Sequence, residues 1–398
     1  MPNLKFSTLF GIINTKYKNI MLLIILAVIF IRPFICALAF PYLNFIYSLA
    51  LLIFLGAYLI YKKPSFTKIQ TLIHPFILFC LALFVSVIFS QNKLNSLAQL
   101  YQYLSGLSLF LFAASLSEKD KLLTMQTVIL AGLVISFLAI YQYLFGFKHV
   151  LDYLSTNKLS FPFILDYLGR KRVFFPFLAP GALGGYLAMI ALLSLTNKNR
   201  TWLVMLVFPA LLLTKSLSVF LSLFCVLIIY FGVQGKLKKR NILLLAGLFL
   251  LIVVMVIGRS ATQKGYLHPA FSAIMRLNYW QESLSVIKAH PFVGIGLGNF
   301  NLQNSRYAHN SYLQIWAEMG ILGLCSFIWI VAVVFKVCFK NLTQSLYPRQ
   351  TAGLLAASAV FLTHNFLDFT FFLPEISLIW WVILGLAIAK NKTIELNV

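Results

Sequence analysis

A histidine and an asparagine, His309 and Asn310, stand where a polar stretch enters an apolar run, in RYAHNSYLQIWAEMGILG (306–323), with Arg306 just ahead and Glu318 inside. Only 10% of the chain is charged, so polar groups gathered there call for a reason. At a helix start the unpaired backbone N–H groups and the helix dipole favour negative charge, and Asn310 or Ser311 supplies a cap. A neutral imidazole held at that point can remove a proton from an incoming hydroxyl. A cap or a hydrogen-bonded structural histidine is the plainer use of the same residue. Glu318 falls on about the opposite side of a helix from His309, which suits a buried, paired or protonated carboxyl better than a dyad partner. Gly320 and Gly323 permit close helix approach.

Upstream, HPAFSAIMRLNYWQESLSVIKAHP (268–291) places Arg276 and Trp280 one turn apart on an expected amphipathic helix. Pro269 marks its start, Pro291 its stop, and Phe271, Ile274, Met275, Leu284 and Ile287 its apolar residues. Such a helix suits the membrane interface, where Arg276 can equally serve as a cation–π or snorkelling partner of Trp280. The next stretch, PFVGIGLGNF, carries GxGxG with no strand before it, which is a Gly- and Phe-rich turn and no dinucleotide fingerprint. A second pair, His364 and Asn365, with Asp368 and Glu375 after it, reads as interfacial polar residues.

The elements that must position these groups are membrane helices. The chain has 398 residues, 61% hydrophobic and 16% aromatic, far above a soluble domain. Runs long enough to cross a bilayer recur near 20–40, 43–60, 74–90, 101–116, 122–145, 178–195, 201–213, 217–232, 241–257, 310–335, 351–366 and 374–389. The expectation is an all-α integral membrane protein of about twelve transmembrane helices. It forms one polytopic domain, 1–398, with a catalytic loop at 258–309, and its first apolar run is a span and not a cleaved leader. The region 201–232 is read as two helices turning at TKSLS, because that choice puts most of the 32 basic residues in loops on the side of both termini, the cytoplasmic side. Two loops on the opposite side break the bias: 146–177 with Lys148, Lys158, Arg170, Lys171 and Arg172, and 258–309 with Arg259, Lys264, Arg276, Lys288 and Arg306. A cationic surface there fits a phosphate or diphosphate ligand or the headgroups of anionic lipids. The net charge of +23 thus belongs to membrane topology and ligand, with no nucleic acid implied. Cys36, Cys80, Cys225, Cys325 and Cys338 lie in or beside apolar segments with no ligand spacing, as buried free thiols do. The carboxylates show no clustering of the kind a metal-dependent transferase uses, so no metal or cofactor is expected.

Taken in order, Arg276-x-x-x-Trp280, PFVGIGLGNF, AHNSYLQIWAEMGILGL and THNFLDF…LPEISLIWW resemble the O-antigen ligase and polymerase family, with RVFFPFLAPGALGGYLAM similar to a further family segment. The specific part runs from Arg276 to Leu324. The resemblance implies a bacterial inner-membrane protein acting on undecaprenyl-diphosphate-linked glycans at a periplasmic site, with membrane lipids around it. By position, His309 matches the base that activates the acceptor hydroxyl, and Arg276 the arginine that holds the diphosphate. Where family members often carry Ser-Arg, this chain has Ser216-Leu217, so Lys215, Arg170 or Arg172 is left to supply that charge. Trp280, Arg306 and Asn310 complete the candidate substrate contacts, and Tyr279, Tyr307, Tyr312 and Trp316 are placed to stack on sugars or to form an interfacial belt.

The implied reaction is a single inverting, metal-independent displacement. As a ligase the protein would pass a finished chain to a lipid A-core acceptor; as a polymerase it would pass one lipid-linked glycan to another. A transporter or flippase for lipid-linked glycans is the non-enzyme reading, favoured by mid-span charges and internal repeats, neither of which stands out.

Overall fold

The computed structural model describes residues 20–62, 70–157, 162–196, 202–233, 238–262, 271–303, 305–344 and 348–389. Among them the regular structure is entirely helical. Lys158, Lys264 and Pro269 lie outside the described residues. All twelve expected segments fall on helices. They are α1 (20–31, continued as a 3-10 turn to Phe34), α2 (Pro41–Lys62), α3 (Ile73–Ile88), α4 (Lys93–Ala114), α5 (Glu118–Tyr141), α8 (Pro180–Ser194), α9 (Leu203–Leu213), α10 (Leu217–Val233), α11 (Lys239–Thr262), α13 (Ser311–Gln344), α14 (Pro348–His364) and α15 (Pro374–Ile388). Among the described residues six helices are long and apolar enough to cross a bilayer, and the others are shorter.

The ends of the helices follow local chemistry more than hydropathy. Asn92 caps α4 through Leu94 N and Asn95 N, so that helix starts eight residues ahead of the apolar run. Ser117 accepts from Asp120 N at the start of α5. At the other end α5 does not stop at 145: a π-helical turn, Gln142–Gly146, carries it into α6 (Phe147–Thr156), followed by α7 (Pro162–Gly169). Much of the expected loop at 146–177 is therefore helix. The expected break at TKSLS is present, with Lys215 in the left-handed region at φ 48° between α9 and α10.

Two helices are buried all round, as uniformly apolar helices in a bundle centre should be: α15 against α4, and α8 against α14. Glycines on one face of α8 make the second contact possible, since a Cβ at Gly185 would sit 2.7 Å from His364 Cδ2. The start of α15 is fixed by a buried ion pair. Arg32, 1% exposed, lies 3.7 Å from Glu375, and donates to Asn44 Oδ1 at 2.7 Å and Ile35 O at 3.1 Å.

The helix expected in the 258–309 loop exists as α12 (Phe271–Ala289), packed on α13. Its apolar residues do not form the single face anticipated. Ile287 is buried over a small core with Phe300, Leu302, Ala308 and Ala317, with Tyr279 and Val286 packed against it, whereas Ile274, Leu277 and Leu284 point outward. The turn after it enters α13. Ile295 N donates to Ala317 O and Gly296 N to Glu318 O, and Ile321 N returns a bond to Pro291 O. The helix breaks there at Gly320 (φ 68°, ψ −175°). Only glycine fits, because a Cβ would overlap the Phe292 carbonyl. Buried irregular backbone of this kind persists where its groups are paired within the protein. The thiols diverge from expectation: Cys36 and Cys338 are buried, Cys80 is intermediate, and Cys225 and Cys325 are exposed on the bundle surface, all five free.

Candidate functional site

His309 immediately precedes α13. Asn310 Oδ1 accepts from Tyr312 N at 3.0 Å and Leu313 N at 3.1 Å, so it is the helix cap, and the chain enters that cap through His309 in the left-handed region at φ 51°. A non-glycine residue in that conformation is uncommon and must be held by its surroundings. Two rings hold it: Tyr279 of α12 stacks at 5.5 Å and 18°, and Phe369 meets the imidazole edge-on at 4.7 Å and 89°. Phe369 is backed in turn by Tyr307 at 4.1 Å, nearly parallel. His309 Nδ1 is buried and makes no hydrogen bond. Burial lowers the His309 pKa, the Arg276 charge lowers it further, and the negative charge of Asp368 opposes both. The imidazole is thereby kept neutral and basic.

Asp368, expected from the sequence to be an interfacial polar residue, lies beside His364. It is buried, accepts from Phe369 N at 2.8 Å through Oδ1, and approaches His364 Nε2 to 3.4 Å through Oδ2. Burial works against its charge, yet the His364 side chain beside it, with the positive charge of Arg276 and that of His309 when protonated, holds its carboxyl well below the usual range. The starts of three helices meet around it. Ser311 Oγ of α13 donates to Asp368 O at 3.3 Å, and a Cβ at Gly181 of α8 would lie 2.6 Å from Asp368 Oδ2 and 3.9 Å from the Ser216 Oγ that precedes α10. The two His–Asn pairs, far apart in sequence, are joined here: Ser311 Oγ donates to Asn365 Oδ1 at 2.6 Å, and Ser311 N donates to Asn365 O. The available signal was an aspartate one helical turn beyond His364 in THNFLD, which puts both on one side of the chain.

The second set of predicted cations forms a strap against the α9–α10 turn. Val173 N donates to Leu213 O, Arg172 Nε to Thr214 O at 3.1 Å, and Lys215 Nζ to Arg170 O at 2.8 Å. Arg172 lies 5.6 Å over the Tyr167 ring, and Tyr167 also feels the charge of Asp368. Burial, with Arg172 and Lys171 close by, lowers the Lys215 pKa. Arg170 differs from its neighbours, since its Nε pairs with Asp166 at 2.8 Å. Structure thus brings His309, Arg276 and Asp368 together and groups Arg172 with Lys215. Arg306 is exposed, 6.0 Å from the Tyr307 ring, and Trp280 is half-buried on α12.

Glu318 is not part of this cluster. Its carboxylate accepts from Gln314 Nε2 at 3.0 Å and Gly298 N at 3.1 Å, while its carbonyl accepts from Ser86 Oγ at 2.7 Å. It fixes the glycine-rich turn to α13. Trp316 serves the same junction by donating to Pro291 O, leaving its ring in a structural contact.

Lys215, Arg276 and His309 all fall within the one stretch that a family model matches. Residues 202–328 match the O-antigen ligase family. This supports the resemblance read from the motifs. The match ends before α14, so His364 and Asp368 lie outside it, as do Arg170 and Arg172. No curated protein matches the chain.

Proposed function

We propose that the protein transfers a glycan from an undecaprenyl-diphosphate carrier to an outer-leaflet lipid A-core acceptor, as an inverting, metal-independent O-antigen ligase with a periplasmic site in the bacterial inner membrane. The observation that carries this reading is His309, held neutral by burial beside Arg276 and facing the ionised Asp368. The acceptor hydroxyl gives its proton to the imidazole as its oxygen attacks the anomeric carbon from the face opposite the leaving group. The bond from that carbon to the diphosphate oxygen breaks, and its electron pair leaves with the diphosphate. Arg276 meets the growing negative charge, and Arg172 on the strap with Lys215 of the α9–α10 turn holds the other end of the diphosphate. Asp368 stabilises the imidazolium that forms. Because the leaving group is already activated, no step calls for a nucleotide or a metal.

We assign the lipid half of the donor to an apolar surface beside this site. An apolar furrow runs along one face of α14, from Ala352 through Ala356 and Ala359 to Thr363, between Val226 and Tyr230 of α10 and Phe335 and Phe339 of α13. It ends one residue short of His364. Aromatic side chains at the site, Tyr279 and Phe369, offer flat surfaces for sugar rings.

Complementation of a ligase-deficient bacterium tests the reading, with wild type, His309→Ala and Arg276→Lys compared at matched membrane levels on gels of lipopolysaccharide and lipid-linked intermediates. Wild type should restore capped lipopolysaccharide, while both variants accumulate full-length lipid-linked chains. Intermediates carrying a single repeat unit whenever activity is missing would make the protein a polymerase. Unchanged transfer by the His309 variant would remove the base.

A further inference from the structure

At the end of α5 the surface side chains of Tyr141, Tyr143, Leu144 and Phe145 are exposed, and one polar residue among them is buried: Gln142, 4% exposed. It opens the π-helical turn Gln142–Gly146. Such turns are rare and redirect a side chain out of the helical register. Here the redirected amide accepts two backbone hydrogen bonds through one oxygen, from Phe174 N at 2.8 Å and Phe175 N at 3.0 Å. Those two residues directly follow Lys171, Arg172 and Val173. The strap is therefore tied at both ends of a short span: Arg172 and Val173 to the α9–α10 turn, and Phe174 and Phe175 to Gln142. Phe174 is buried, so without the Gln142 oxygen its N–H would have to find a partner elsewhere, and the backbone carrying Arg172 would shift with it.

We infer that Gln142 is a positioning residue for the anion subsite, a buried carbonyl in a π-helical turn that fixes where Arg172 stands over Tyr167. The inference rests on the proposed donor chemistry in assigning the subsite to a diphosphate. Gln142 touches no substrate. It acts by holding the strap's backbone at the distance from the α9–α10 turn at which Arg172 and Lys215 share one anion. The subsite is thus set from three separate parts of the chain: the end of α5, the 170–175 strap and the turn before α10.

Gln142→Met keeps the size and removes the acceptor, whereas Gln142→Glu keeps an acceptor oxygen. Both are compared with wild type for binding of undecaprenyl diphosphate to the purified protein in detergent, and for donor KM and kcat in the transfer reaction. The expected result is a roughly tenfold weaker Kd and a matching rise in donor KM for Gln142→Met, with kcat and acceptor KM within about twofold of wild type. Gln142→Glu should recover most of the loss. A Gln142→Met protein that binds and turns over like wild type overturns the inference, as does one whose only change is a lower Tm, or a Glu variant as impaired as the Met variant. Wild type that fails to bind the diphosphate lipid also overturns it. Wild type that binds the lipid with the predicted Gln142 dependence, yet transfers no glycan, leaves the inference standing and removes the ligase reading.

Discussion

In the proposed mechanism His309 and Asp368 divide the labour of one proton. Burial and Arg276 keep the imidazole neutral, and Asp368 pulls the other way, so the two charges should act on the pH profile in opposite directions. Activity requires the unprotonated ring, so it falls as pH drops through the lowered His309 pKa. Replacing Asp368 with Asn removes the opposing charge and moves the acid limb to lower pH, together with a fall in kcat because the imidazolium loses its counter-charge. Arg276→Gln moves the limb to higher pH. A pH–rate series for kcat on the two variants checks this, and shifts of the same sign would disprove the assignment. His309→Gln is expected to lower kcat by about 10²–10⁴, the usual range for a lost general base. As candidates, His309 and Arg276 were legible in the sequence because one sits at a helix start and the other on a short helix among apolar residues, where a polar group needs a reason. Asp368 was legible only as an aspartate one turn beyond His364, because its other neighbours come from α8, α12 and α13.

At the level of elements, the break in α13 sets the site. The turn from Pro291 to Phe300 enters the helix at Ala317–Ile321, and Glu318 binds it back through Gly298 N. Gly320→Ala would press a methyl group against the Phe292 carbonyl in a conformation that L-residues avoid, and should lower Tm by roughly 5 °C or more in a thermal scan. Asn310→Ala removes the α13 cap and should cost about 1 kcal/mol, with His309 activity reduced because the residue beside the cap loses its hold. The helices themselves were readable, since hydrophobic runs of this length leave few alternatives. Their limits were less so: Asn92 and Ser117 start helices in polar stretches, and the π-helical turn at Gln142 carries α5 past its apolar end. The glycine turn was recognised as a turn, but its insertion into α13 depends on the Ala317 and Glu318 carbonyls of the helix that follows it and could not be read locally.

Across the whole molecule, the site lies where the starts of α8, α10 and α13 meet, and the buried pair of Arg32 and Glu375 fixes α15, which follows the Asp368 loop. Breaking that pair on one side strands a charge in an apolar bundle: Arg32→Met should cost about 3–5 kcal/mol, while Arg32→Met combined with Glu375→Leu should recover much of the loss. Equal or worse stability of the double variant would show that the pair does more than neutralise itself. The distribution of lysine and arginine gave the orientation its rationale, and the strap and α12 carry the basic residues that orientation does not explain. Purified wild-type and His309→Ala proteins, reconstituted in liposomes with a synthetic undecaprenyl-diphosphate glycan and a lipid A-core acceptor, are compared by NMR of the new glycosidic bond. Wild type should give a product with inverted anomeric configuration and His309→Ala almost none. Retention of configuration, or equal product from both proteins, would contradict the proposed displacement by an acceptor that His309 activates.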